Sequence, residues 1–178
     1  GNIVLFLEHD HVYTLGKNAD TDFLLNSHLE SSEIVQIDRG GQVTYHGPGQ
    51  LVCYPIIDLH DYKMSVSWYM RSLESIIINC LKECGINSNR KEDFPGVWVG
   101  DDKICAMGVR LSKWVTMHGF ALNFNPEMQY FDNIIPCGIF EYGVTSLKEL
   151  GISISVEMLL NHLVHFFQIL FLEKEYEV

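Results

Sequence analysis

The sequence predicts an α+β fold in which a mixed, largely antiparallel β-sheet is flanked by helices. Short apolar runs typical of strands outnumber the segments with helical periodicity. Between residues 97 and 125 these runs follow one another without a helix, which indicates a meander rather than βαβ units. The length of 178 residues fits one domain.

The first half of the chain is mostly strand and loop. Its predicted strands are Ile3–Leu7, Val12–Leu15, Ile34–Ile37 and Leu51–Leu59. The last of these is almost continuously apolar, as in strands buried on both faces. Residues 17–32 are polar and without clear periodicity, so they are expected to form a connection. Residues 39–49 are rich in glycine and predict a loop.

The second half contains both predicted helices. Ser65–Cys84 carries apolar residues at helical spacing, and Gly85 follows as a C-terminal cap. The meander runs are Val97–Val99, Ile104–Leu111 and Phe120–Phe124. Residues 126–142 are expected to be loop or short helix. Ser155 is expected to cap a final amphipathic helix, and the tail 173–178 is expected to be solvated.

The composition restricts the classes of partner and of site. Twelve basic and 23 acidic residues give a net charge of −11, which disfavours nucleic acid and anionic membranes as partners. The apolar segment 156–172 is interrupted by a polar stripe, so it predicts an amphipathic helix rather than a membrane span. Five cysteines without a CxxC motif suggest neither a disulfide framework nor a metal site, and they favour the reducing cytoplasm.

The glycine-rich stretch 39–49 combines permissive backbone with polar and aromatic side chains. Its glycines would let the backbone approach a bound group closely. Interleaved with them are Arg39, Thr44, Tyr45 and His46, which suit a ligand that carries carbonyls and amides. The stretch matches neither the dinucleotide nor the P-loop glycine pattern. We therefore favour a binding loop over the alternative of a tight structural turn.

Cys137 is the candidate nucleophile among the five cysteines. Pro136 fixes the backbone before it and Gly138 removes bulk after it, a context that favours an exposed thiol in a fixed turn. The other cysteines lie in apolar patterns and are expected to be small core side chains: Cys53, Cys80, Cys84 and Cys105. Any lone cysteine is more often buried and inert, so Cys137 needs an activating partner.

Lys103 is the candidate for that partner. A neighbouring ammonium group lowers the pKa of a thiol and so raises the fraction present as reactive thiolate. Lys103 precedes the apolar run 104–108, which could carry its head group into a site. The alternative is a solvated lysine at a turn, and spacing alone does not pair it with Cys137.

Other polar residues have a structural interpretation that we favour. His118 could be a general base, but a hydrogen-bonded strand end is the simpler assignment. His9 and His11 would point to one face of a strand, yet they lack a third metal ligand. Asp101 and Asp102 are most simply turn residues.

Taken together, the residues resemble a known family, the lipoyl(octanoyl) transferases. Five ordered blocks carry the similarity: Arg39–Gln50, Pro95–Val99, Lys103–Arg110, His118–Asn123 and Pro136–Gly138. Val144–Leu147 also looks like a family segment. The family usually has a further N-terminal segment with a helix, so residues 1–178 are expected to be one catalytic domain that lacks it.

The resemblance implies a fold and a set of site residues. The fold would be that of the biotin and lipoate-protein ligases, a mixed sheet flanked by helices. Cys137 would accept the acyl group, and Lys103 would lower its pKa and position the acyl carbonyl. The implied substrate-binding residues are Arg39, Gly40, Gly41, Gln42, Val43, Thr44, Tyr45, His46, Ala106, Met107, Gly108, Gly119, Phe120 and Ala121.

The resemblance also implies an activity and partners. Octanoyl would pass from octanoyl-acyl carrier protein through a Cys137 thioester to the lysine of a lipoyl domain, in 2-oxoacid dehydrogenase complexes or the glycine cleavage H protein. Because the donor is already a thioester, no ATP or other cofactor is expected. Both partners are typically acidic, so docking is expected to use local basic residues: Arg39, Arg90, Lys91, Arg110 and Lys113.

Two alternatives from other classes remain at this point. An ATP-dependent lipoate- or biotin-protein ligase shares the implied fold but activates a free acid as an adenylate, so Cys137 would be dispensable. A non-catalytic module that binds acyl chains or carrier proteins would keep the fold and lack turnover.

Overall fold

A computed structural model describes residues 1–17, 19–20, 25, 33–135 and 142–171 of the chain. Its strands are β1 (Ile3–Leu7), β2 (Val12–Leu15), β3 (Glu33–Gln36), β4 (Val43–His46), β5 (Gln50–Ile56), β6 (Asn89–Lys91), β7 (Phe94–Val99), β8 (Asp102–Ser112), β9 (Val115–Asn123) and β10 (Gly143–Val144). The helices are α1 (Val66–Glu83) and α2 (Val156–Phe171), with short 3-10 helices at Leu59–Asp61 and Met128–Asn133.

The larger of two sheets has the strand order β1-β5-β9-β8-β7-β6. All five pairings along this order are antiparallel, and β10 adds a short parallel pairing to β8. The predicted mixed, largely antiparallel sheet is therefore confirmed. The meander predicted for residues 97–125 is the consecutive set β7-β8-β9.

The smaller sheet has the order β3-β2-β4, and it corrects one prediction. Residues 39–49 were expected to form a loop throughout, but Val43–His46 is a strand that pairs antiparallel with β2. Glycines flank this strand, so the composition of the stretch concealed it. The predicted strand Leu51–Leu59 is also shorter, because β5 ends at Ile56 and a 3-10 helix begins at Leu59.

Both predicted helices form, with the caps predicted at Gly85 and Ser155 and a further cap at Ser65. The Ser65 side chain accepts from Trp68 N at 3.2 Å at the start of α1, and Gly85 follows the helix with φ of +80°. The Ser155 hydroxyl accepts from Met158 N at 3.1 Å at the start of α2. No helix in the described part of the chain is long and apolar enough to cross a membrane. The predicted tail 173–178 lies outside the described residues.

The two helices pack on one face of the large sheet and form the main core. Along β5, Leu51 and Cys53 point into this core, and Val52 and Tyr54 point to the opposite face. Cys53, Cys80 and Cys105 are fully buried, as predicted, whereas Cys84 at the end of α1 is partly exposed. A second, smaller core lies on the outer face of the small sheet. The inner faces of the two sheets are left to line a cavity.

Candidate active site

The cavity between the two sheets has a volume of about 900 Å³. Its apolar lining includes Val35, Val52 and Phe94, and Tyr54 and four histidines supply polar groups. Volume and lining are those of a small-molecule site. Lys103 and most of the expected substrate-binding residues border it: Arg39, Gly40, Gly41, Gln42, Val43, Thr44, His46, Ala106, Met107, Gly108, Gly119, Phe120 and Ala121.

Tyr45 is the expected substrate-binding residue that lies elsewhere. Thr44 and His46 of β4 point to the cavity, and the alternation of a strand sends Tyr45 to the other face. There it is fully buried in the second core, where its hydroxyl contacts His11 Nδ1 at 2.8 Å. Burial raises the pKa of this phenol. Tyr45 therefore supports the sheet that carries Thr44 and His46 of the cavity wall.

A β-bulge directs Lys103 into the cavity. Val97 pairs with Cys105 and Trp98 pairs with Lys103, so Ile104 is an extra residue on β8. In a regular strand Lys103 and Ala106 would point to opposite faces, and the extra residue brings both to the cavity. The sequence pattern carries no clear signal for this bulge.

Lys103 is held within the protein. Its side chain is 6% exposed, and Nζ donates to Pro95 O at 3.1 Å and lies 4.7 Å from the centre of the Trp98 ring. A carbonyl acceptor and an aromatic face both stabilise an ammonium group. The alternative of a solvated turn lysine is therefore wrong.

The glycine-rich segment is fixed to the small sheet by Arg39 and to the large sheet by Gly40. The Arg39 guanidinium is buried and donates to Thr14 O and Oγ1, each at 2.8 Å, and Gly40 N donates to Val109 O at 3.2 Å. Asp38 next to it forms an ion pair with Arg110, and His118 Nε2 lies 3.4 Å from Asp38 Oδ1. Arg39 is thus a structural anchor at the cavity, and the expectation that it belongs to a docking surface is wrong.

Gly108 gives the loop room to approach β8. A Cβ at this position would lie 2.8 Å from Gly40 O and 3.1 Å from Arg39 Cδ. A side chain at this position would push the Gly40 backbone away from β8. Glycine is therefore required here by close packing rather than by its dihedral angles.

Two histidines of the cavity, His46 and His118, are held uncharged. Burial lowers the pKa of His46 to about 4, and its Nδ1 contacts Gln50 Oε1 at 2.7 Å. Burial, together with Arg39 and Arg110, also lowers the pKa of His118. His118 lies within β9 and lines the cavity rather than beginning the strand.

His9 and His11 also border the cavity, with separate tyrosine partners. His9 Nε2 contacts Tyr54 OH at 2.7 Å, whereas His11 contacts Tyr45. Among the described residues, no group of three or more histidine, cysteine or acidic side chains could hold a metal ion. Asp101 lies in the turn before β8, and Asp102 is the first residue of that strand.

The low pKa of His46 predicts a loss of stability in acid. Between pH 6.5 and about 4 the unfolded chain binds a proton that the native state does not, so stability falls as the pH falls. The loss is about 3 kcal/mol, complete below about pH 4. The measurement is the free energy of unfolding in urea as a function of pH. We expect His46→Gln to reduce its fall between pH 6.5 and about 4, whereas His165→Gln on the exposed side of α2 should not. Equal slopes in wild type and His46→Gln would contradict this account.

Cys137 lies outside the described residues, in the gap between Ile135 and Tyr142. Beyond the gap, Tyr142 packs on Phe94 and Trp98, with ring centres 5.5 and 5.2 Å apart. Next, β10 pairs with β8 so that Val144 lies beside Lys103, and Thr145 N donates to Lys103 O at 3.1 Å. The chain therefore rejoins the sheet at the lysine.

The described cysteines are poor candidates for a nucleophile. None of the four lines the cavity, and burial raises the pKa of each thiol. A raised pKa keeps a thiol protonated and inert at neutral pH.

Sequence reasoning missed several cavity residues. Val52 and Tyr54 belong to β5, and Phe94 and Pro95 begin β7. The signal for the first two was the period of two along β5, which a continuous apolar run hides. Pro95 was noted as part of a motif without a role, and its carbonyl is the acceptor for Lys103.

A family match and similar known proteins agree on the family of this chain. Residues 1–168 match the family described as the lipoyl protein ligase A/B catalytic domain. An octanoyltransferase of Flavobacterium johnsoniae is 50% identical, over 94% of this chain and 78% of that protein. An octanoyltransferase of Caldanaerobacter subterraneus is 44% identical, over 95% of this chain and 76% of that protein.

A solved structure agrees at the level of the fold. The bipartite lipoate protein ligase of Thermoplasma acidophilum, from a study of that ligase and its E2 lipoyl domain, superposes with a TM-score of 0.73. The similarity covers 94% of this chain and 70% of that one, at 16% sequence identity. The expected ligase-like fold is therefore confirmed.

Proposed function

The chain belongs to the lipoyl protein ligase A/B catalytic domain family and is an octanoyltransferase within it, and we propose that it works through a thioester on Cys137. The observation that supports this most is the buried Lys103, which borders a largely apolar cavity. The segment that contains Cys137 is followed directly by the strand that pairs at Lys103. A thiolate beside this ammonium would be stabilised at neutral pH.

In the first step, the Cys137 thiolate attacks the carbonyl carbon of octanoyl-acyl carrier protein. The new C–S bond forms as the C–S bond to the carrier breaks, and the carrier departs as a thiolate that takes a proton from water. One thioester replaces another, so the free energy changes little and no ATP is consumed. Lys103 is close enough to the reaction space to orient the carbonyl oxygen during this exchange.

In the second step, the lysine amine of a lipoyl domain attacks the Cys137 thioester. A C–N bond forms, the C–S bond to Cys137 breaks, and the proton that the amine loses passes to water. The Cys137 thiolate is a good leaving group, and the amide product is much more stable than the thioester. The reaction therefore runs towards the modified protein.

The apolar lining of the cavity suits the alkyl chain of the acyl group. Val35, Val52 and Phe94 are among the side chains that would contact it. At about 0.8 kcal/mol per buried methylene, seven carbons beyond the carbonyl could contribute up to about 5–6 kcal/mol. Chain length would thus be selected by how many carbons fit.

The proposed partners follow from this chemistry. The donor is octanoyl-acyl carrier protein, and the acceptors are the lipoyl domains of 2-oxoacid dehydrogenases and the glycine cleavage H protein. The solved Thermoplasma acidophilum ligase is described with an E2 lipoyl domain, which supports this class of acceptor. We place the reaction in the cytoplasm, where a free thiol persists.

A donor comparison tests the proposed function. We expect lipoyl-domain modification, followed by mass, with octanoyl-acyl carrier protein in the absence of ATP. ATP with free octanoate and no carrier protein should give none, because this activity starts from a thioester. Robust modification from ATP and octanoate would instead support an adenylate-forming ligase. A carrier protein without the acyl group is the matched control.

A further inference from the structure

One peptide group of β7 is hydrogen bonded on both sides to charged residues. Its carbonyl, Pro95 O, accepts from Lys103 Nζ at 3.1 Å, and its amide, Gly96 N, donates to Glu74 Oε1 at 3.2 Å. The carbonyl and the amide of a peptide bond are conjugated, so bonds at the two ends polarise each other. Glu74 and Lys103 are thereby linked through the Pro95–Gly96 peptide.

The Glu74 side chain is held in place by burial and by its other hydrogen bonds. It lies within α1 and is 2% exposed. Its other carboxylate oxygen, Oε2, accepts from Arg71 at 3.0 Å and from Arg90 Nε at 2.9 Å. Three hydrogen-bond donors compensate the negative charge of this buried carboxylate and hold it in place.

Gly96 brings this peptide into direct contact with the lysine. Its φ is +129°, and a Cβ there would lie 2.5 Å from Cys105 O and 3.4 Å from Lys103 Cε. The aliphatic part of Lys103 therefore crosses the backbone at Gly96. This position needs glycine for its dihedral angle and for the contact.

We propose that Glu74 is a positioning residue that sets the location of the Lys103 ammonium group through the Pro95–Gly96 peptide. Glu74 does not line the cavity, so it acts on the reaction without contact with substrate. Its effect on catalysis rests on the proposed function, because it reaches Cys137 only by way of Lys103. The bridge itself does not depend on that function.

Alkylation of Cys137 in a double-variant cycle tests the proposal. The variants are Glu74→Gln and Lys103→Met, alone and together, with Glu83→Gln on the exposed end of α1 as control. The rate with iodoacetamide is followed at Cys137 by peptide mass across pH. We expect Glu74→Gln to slow alkylation at pH 7 about threefold to tenfold and to have no further effect in the Lys103→Met background.

The proposal would be overturned if Glu74→Gln slowed alkylation of Cys137 by the same factor in the wild-type and Lys103→Met backgrounds. Equal factors would mean that the two substitutions act independently, as a general loss of structure would. A wild-type rate of Cys137 alkylation in the Glu74→Gln variant would also overturn it. Arg90→Gln separates the other role of Glu74, because it removes an ion pair and leaves the bond to Gly96. We expect it to lower the unfolding temperature and to change alkylation less than twofold.

The amide NMR signal of Gly96 tests the bridge even if Glu74→Gln does not fold. We expect Lys103→Met to move this signal, because the Pro95 carbonyl loses its donor, and the Gly85 amide to stay in place. An unmoved Gly96 signal would overturn the proposal. A moved signal with unchanged Cys137 alkylation in Lys103→Met would support the bridge and contradict the proposed function.

Discussion

Cys137→Ala is expected to lower octanoyl transfer to a lipoyl domain at least about 1,000-fold, because in the proposed mechanism its sulfur carries the acyl group between the two partners. Without it, the amine would have to attack the donor thioester directly. The measurement is initial rate with octanoyl-acyl carrier protein, followed by the mass of the acceptor. Affinity for the donor should change less than threefold, since the proposed binding site of the alkyl chain is the cavity, which this substitution leaves unchanged.

The matched control is Cys84→Ala, which removes a partly exposed thiol at the end of α1, away from the cavity. It should keep wild-type turnover. Turnover within threefold of wild type in Cys137→Ala would contradict a covalent intermediate. Absence of turnover in the wild-type protein, with donor binding intact, would instead support a binding module.

Lys103→Met is expected to slow alkylation of Cys137 at pH 7 by about tenfold and to move the midpoint of the alkylation pH profile up by about one to two pH units. The reason is the loss of a positive charge that stabilises the thiolate. Methionine keeps much of the apolar volume of the buried lysine stem, so packing changes little. Transfer should fall by at least the same factor, since both steps depend on the thiolate.

Two variants separate charge from structure. Lys113→Met removes an exposed lysine of the β8–β9 turn and should leave the profile unchanged. Lys103→Arg keeps the charge with a larger head group, so it should keep the midpoint closer to wild type than Lys103→Met does. An unchanged profile in Lys103→Met would contradict the role assigned to this lysine.

The sequence predicted those features that depend on local pattern. Ser65–Cys84 and Ser155 define helices by periodicity and capping, and the structure has both helices within a residue of these positions. The strands Ile3–Leu7 and Val12–Leu15 were also correct, because period and turn residues mark them. Most of the residues singled out in the motif blocks border the cavity, because glycine-containing segments approach one another closely there.

Features that depend on pairing between distant strands could not be predicted in this way. The extra residue Ile104 is defined only by the register of β7 against β8. Tyr45 shares a motif with cavity residues, and its side of β4 is set by pairing with β2. Glu74 is one acidic residue on a helix, and its contact with Gly96 arises only when α1 packs on the sheet.

The most direct test of the account is the intact mass of the protein after brief mixing with octanoyl-acyl carrier protein and no acceptor. We expect an added octanoyl group on part of the protein, mapped by peptide mass to Cys137 and released by hydroxylamine or by a lipoyl domain. Catalytic transfer to a lipoyl domain without any such adduct, or an adduct that maps to another residue, would contradict the account.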